Sequence, residues 1–110
     1  MAETDVEIKI DEDAAARVKE LGFQREFEQM LEHARRVRGL LGVRVTLEYD
    51  PDCSHRDPQV VIWVHRAVPP EGPAADRTNW DLTDWRIASF PSEPCVQMSM
   101  IAVYGGPDER

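Results

Sequence analysis

Cys53, His55 and Cys95 are the residues of this chain best suited to chemistry. A thiolate is both a nucleophile and a soft metal ligand, and a nearby imidazole can activate it in either role. Cys53 and His55 stand two apart in a polar stretch bracketed by Pro51 and Pro58, and Cys95 opens a later apolar run. Zinc sites take about four ligands with a short-spaced pair among them. A single Cys-x-His step and a distant cysteine fall short of that, and no glycine-rich elbow supplies an oxyanion site beside the thiol. The expectation is a pair of free thiols, with no metal and no cofactor. A small Cys/His enzyme or metal site built on Cys53, His55 and Cys95 is the alternative.

Two further groups carry charge in suggestive patterns. Glu26, Glu28, Glu32 and His33 resemble an acid-base or metal constellation, but they fall mostly off the apolar stripe of their helix and read as a solvated face. Arg35, Arg36, Arg38 and Arg44 form a basic cluster, which either complements the negative end of a helix dipole or makes an anion-binding spot.

The rest of the chain is acidic. The 110 residues carry a formal net charge of -8, and Glu3, Asp5, Glu7, Asp11, Glu12 and Asp13 concentrate it near the N-terminus. Such a surface repels phosphate, so nucleic acid and anionic membranes are excluded as first partners and a basic protein is favoured. No run approaches the roughly 18 apolar residues of a membrane span, and Met1-Ala2-Glu3-Thr4-Asp5 has neither the basic start nor the apolar centre of a signal peptide. A cytoplasmic protein is expected, folded as a single domain over 1–110 with 1–5 and 105–110 mobile.

The elements that must position these residues follow from periodicity. Val6, Ile8 and Ile10 alternate as a short edge strand would, and Asp11 or Asp13 can cap a helix whose inner face is Ala14, Val18 and Leu21. Phe23, Phe27, Met30, Leu31, Ala34, Val37 and Leu41 make the stripe of a main helix, set off by Gly22 as a kinked pair or one bent helix. Alternating segments at 43–50 and 59–66 form a hairpin around the loop 51–58, pairing Tyr49 with Val60, Leu47 with Ile62 and Val45 with Val64. Thr78-Asn79-Trp80-Asp81 has the form of a capping box and starts a second long helix at 78–89, with Trp80 and Trp85 as its core anchors. A last strand at 95–104 completes a β-α-β crossover and lies parallel to the second hairpin strand.

These elements give an α+β two-layer sandwich, helix(es)-β-β-α-β, with a three-stranded sheet, room for a fourth N-terminal edge strand, and all helices on one face. The other face then presents Val61, Trp63, His65, Ile101 and Val103, with Arg44 and Glu48 at the rim. An apolar patch with a polar rim marks a partner surface. His65 stands roughly 25 Å from the hairpin loop at the rise of an extended strand, too far to join Cys53 and His55. The sequence therefore points to a small acidic protein-interaction module, non-enzymatic, homodimeric through the open sheet face and able to restrain a basic protein as an antitoxin does. A small-ligand binder with a pocket between the second helix and the sheet is a further alternative.

Overall fold

A computed structural model of the protein describes residues 7–49 and 58–105. The chain runs β1 (Ile8–Ile10), α1 (Glu12–Leu21), α2 (Gln24–Ala34), β2 (Leu40–Glu48), β3 (Gln59–Arg66), α3 (Thr78–Ser89), α4 (Ser92–Gln97) and β4 (Met98–Tyr104). The four strands form one open sheet in the order β1-β2-β3-β4. β1 pairs parallel with β2, β2 antiparallel with β3, and β3 parallel with β4. The fold is the α+β arrangement expected, with β1 as the fourth, N-terminal edge strand. Each parallel pair is bridged by two helices, and the two crossovers meet at the central antiparallel pair.

Side chains alternate across a strand, so one set faces the helices. Val43, Val45, Val60, Ile62, Val64, Met98 and Met100 are buried there against Ala14 and Val18 of α1, Phe27, Met30 and Ala34 of α2, and Leu82 of α3. Gly22 separates α1 from α2: its φ of 78° is left-handed, and its N–H closes α1 on the carbonyls of Lys19 and Val18. The two segments are thus separate helices, and Asp11 stands at the N-cap of the first without a side-chain capping bond.

Four sequence expectations are corrected. Leu41 leaves the helical stripe, because α2 ends at Ala34, its last turn tightens to Val37 N–H→Ala34 O, and Leu41 lies exposed in β2. The hairpin register differs by two residues: Leu47 pairs with Val60, Val45 with Ile62 and Val43 with Val64. An even shift keeps every side chain on its expected face, so the apolar pattern cannot detect it. The last strand starts at Met98, and Cys95 belongs to α4. Pro91 precedes that helix and Pro94 sits in its first turn, where a missing N–H costs no helical bond. The capping box does not form either, although α3 has the expected bounds. Asp76 caps it from outside, accepting from the Thr78 N–H at 3.0 Å and from the Thr78 hydroxyl at 2.6 Å.

Candidate functional site

The sheet face away from the helices carries the residues expected on it. Arg44, Trp63 and Ile101 form one row across β2, β3 and β4, and His65 and Val103 form part of another. Burial differs from what an exposed patch implies. Val61 and His65 are only 4% and 2% exposed, while Trp63, Ile101 and Val103 are half-buried. Polar groups on this face pair with each other: Trp63 Nε1–H donates to Thr46 Oγ1 at 2.9 Å, and the Thr46 hydroxyl donates to Glu48 Oε2 at 2.6 Å. Arg44 reaches Asp11 at 3.5 Å. His65 Nδ1 lies 3.1 Å from the Gly105 carbonyl, which only accepts, so Nδ1 is the donor in this contact.

Cys53 and His55 lie outside the described residues. Cys95 is half-buried, and its thiol donates to the Arg86 carbonyl at 3.3 Å. Among the described residues no group of His, Cys, Asp and Glu is arranged to hold a metal ion. No helix of the described residues is long and apolar enough to cross a membrane.

Two features absent from the sequence reading stand out. The first is a cleft of about 520 Å³ at the carboxyl end of β3, bounded by the end of α2, the 67–77 connection and the first turn of α3. Arg36, Arg38, Arg66 and Arg77 all line it, together with His33. Arg66 is 3% exposed and donates to Asp76 Oδ1 at 2.9 Å, to Thr78 Oγ1 and to the Ala67 carbonyl. Asp76 also accepts from the Tyr104 hydroxyl at 2.6 Å. The hydrogen bonds from Thr78 and Tyr104, with the Arg66 charge adding to them, hold the Asp76 carboxyl down to about 2. The same bond to Asp76 raises the Tyr104 phenol above its ordinary value. This knot ties the connection to the ends of both β3 and β4. Arg38 reaches Glu71 at 3.4 Å, whereas the guanidinium groups of Arg36 and Arg77 have no hydrogen bond or ion pair among the described residues. His33 lies flat on Trp85, with ring centroids 3.9 Å apart and planes 5° from parallel. Burial first, and the Arg36 charge second, pull the His33 imidazole below its usual range, so the ring is neutral near pH 7. His33 is thus a packed bridge between α2 and α3 and not part of a solvated face.

The second feature is the outer side of the second crossover. Trp80, expected in the core, is 64% exposed, as are Ile87 at 65% and Val96 at 64%. Trp80 and Ile87 are seven apart and share one face of α3. Beside Ile87 and Val96 is a hollow of about 340 Å³, lined also by Phe90, Cys95 and Arg86. Arg86 is buried and donates from Nη1 to the carbonyls of Cys95 and Met98 at 3.0 and 2.8 Å, but its buried Nε has no partner among the described residues. On the opposite side of α3, Asn79 brackets Ala102: its amide donates to the Ala102 carbonyl at 3.1 Å and its carbonyl accepts the Ala102 N–H at 2.7 Å. Asn79 and Arg86 therefore satisfy the outward backbone groups of Ala102 and the Met98 carbonyl on the edge strand β4, groups that would otherwise help template another strand.

Leu82 of α3 packs on the sheet, and the cleft opens at that helix's amino end. Of the arginines singled out in the sequence, Arg36 and Arg38 line the cleft and Arg44 lies on the opposite sheet face. Arg66, Asp76, Arg77, Asn79 and Arg86 had no signal as isolated residues; the one available cue was an Asx residue two positions before a helix start at Thr78. Compared with protein-family models, with curated proteins and with solved structures, the chain matches none.

Proposed function

We propose that this chain is a non-enzymatic interaction module that docks a basic protein on the outer side of α3 and α4. One observation carries the reading: Trp80, Ile87 and Val96 are each about two-thirds exposed on one side of the fold. Large aliphatic and aromatic side chains grouped in this way are the usual anchors of protein interfaces. The exposed charges on the same two helices are Asp81, Asp84 and Glu93, all acidic, so the complement is an apolar patch with a basic rim. The hollow beside Ile87 accepts one apolar side chain. An antitoxin-like restraint of a basic enzyme is the form of this reading with the clearest chemistry. Cytoplasmic location belongs to the same proposal.

A second reading is self-association through the helix-free sheet face, favoured by the apolar row of Trp63 and Ile101 beside Arg44. Capture from native cells, with the recovered protein then purified and titrated against variants, separates the two. The module reading expects a partner of high pI whose binding is abolished by Ile87→Glu and Val96→Glu and is untouched by Trp63→Glu. Binding unaffected by either α3–α4 substitution overturns it. Loss of a dimer in sedimentation on Trp63→Glu, with Ile87→Glu still dimeric, establishes the second surface.

A further inference from the structure

We infer that the arginine cleft is a binding site for a small phosphate ester, held chiefly by Arg36 and Arg77. The argument begins with the charge inventory. Arg36, Arg38, Arg66 and Arg77 face Glu71, Asp76 and Asp81, so the cleft is locally cationic on a chain whose formal net charge is -8. Such a local reversal against the field of the whole molecule focuses anions at one spot.

Pairing within the cleft decides which arginines are available. Arg66 is committed to Asp76 and Arg38 to Glu71, while Arg36 and Arg77 are exposed and their guanidinium groups make no hydrogen bond or ion pair among the described residues. Arg36 comes from the turn after α2 and Arg77 from the residue before α3, so two separate parts of the chain bring a guanidinium to the same cleft. Guanidinium forks match the tetrahedral oxygens of phosphate, and two of them suit its double charge. Backbone supports the same sign of ligand. The cleft sits at the first turn of α3 and the carboxyl end of the parallel pair β3–β4, where a helix amino terminus and the crevice beyond the strand ends favour anions. Asp76 already occupies the Thr78 N–H and Arg66, which shows that this end holds a carboxylate well. It also means an incoming anion must use Arg36 and Arg77. Val37, Ala75 and Leu82 supply an apolar wall, and about 520 Å³ leaves room for an organic group beyond the phosphate.

His33 gives the site its own reporter. The ring lines the cleft, and the Arg36 charge is one of the two causes that lower its proton affinity. An anion bound to Arg36 cancels that effect, so the His33 titration moves upward when the site fills.

The test uses the full chain and inorganic pyrophosphate as probe, followed by calorimetry at low ionic strength and by proton NMR of the His33 ring. Succinate serves as a carboxylate control. The expected result is saturable pyrophosphate binding that Arg36→Gln and Arg77→Gln each weaken by about tenfold or more, as loss of a charge-assisted hydrogen bond implies. Both positions are exposed, so the thermal transition should stay in place. The His33 midpoint should rise on adding pyrophosphate to the parent chain and should not move in Arg36→Gln. Absence of binding at about 10 mM probe, or binding indifferent to both substitutions, overturns the proposal. Equal affinity for succinate overturns the choice of phosphate. Ile87→Glu lies on the far side of α3 and should leave pyrophosphate binding intact, so failure here and failure of the docking proposal are read separately.

Discussion

The α1–α2 crossover turns Ala14, Val18, Phe27, Met30 and Ala34 onto the sheet, whereas the α3–α4 crossover turns Leu82 inward and Trp80, Ile87 and Val96 outward. Both connect parallel neighbours, so topology does not explain the difference. Position in the sheet does. The first pair of helices lies over the sheet centre, where only apolar side chains satisfy their surroundings. α3 lies beside the edge strand β4, and an edge exposes backbone donors and acceptors that need polar partners. Asn79 and Arg86 provide them, and a helix that presents polar residues to the sheet has its remaining apolar residues on the outside.

The comparison can be broken most severely at the knot that closes the second crossover. Asp76→Ala removes the partner of Arg66, whose side chain is 4% exposed, and it removes the cap of α3. An uncompensated buried guanidinium makes the expected loss about 3–5 kcal/mol in urea unfolding. A loss below about 1 kcal/mol, the value of a cap alone, would show that Arg66 finds water instead. The same residue sets an acid limit. Its folded pKa of about 2 lies below the ordinary 3.8, so its contribution is complete above the unfolded value and disappears as pH falls from about 4 toward 2. In Asp76→Asn that part of the acid dependence should be missing from the stability curve.

The contrast between the two helical layers is sharpened by matched truncations. Met30→Ala opens a cavity at a fully buried position and should cost about 3 kcal/mol, while Ile87→Ala should stay within about 0.5 kcal/mol. Comparable losses from both, measured by denaturant midpoints, would mean that Ile87 is packed and that the outer patch does not exist. A smaller effect than at Met30 is expected at Asn79. Replacing it with Ala removes two hydrogen bonds from an exposed position, for about 1 kcal/mol, and frees the β4 edge. Hydrogen exchange at the Ala102 amide should accelerate, and concentration-dependent association should appear in sedimentation. A protected Ala102 amide in that variant would show that something other than Asn79 covers the edge.

The architecture was legible because Val43, Val45 and Leu47 alternate against Val60, Ile62 and Val64, and that pattern fixes which face is buried. It leaves the register open, since a slip of two residues buries the same set. Ser92-Glu93-Pro94 read as a lead-in to a strand because proline suggests a break, although in a first helical turn it is compatible with helix. The outer patch was misread for a deeper reason. Binary pattern assumes that tryptophan points inward, and around a sheet edge Asn79 points inward instead. The arginine cleft was legible only in part: Arg36 and Arg38 stood out in a basic cluster, but Arg66 and Arg77 come from elsewhere in the chain and only the closed fold brings them beside that cluster.

The strand order also sets a sequence of events in time. β2 and β3 are the only neighbours in the sheet that are also successive elements of the chain. Each flanking parallel pair must close a loop of about 30 residues, with two helices inside it, before any of its ladder bonds can form, and that closure entropy comes before the reward. The central hairpin is therefore the natural seed of the fold, and the two crossovers are late arrivals that extend it at opposite edges. Since the outer patch and the arginine cleft both depend on the docking of the second crossover, they exist only once that part of the chain has folded, and a partner reading either surface distinguishes a completed molecule from one still folding.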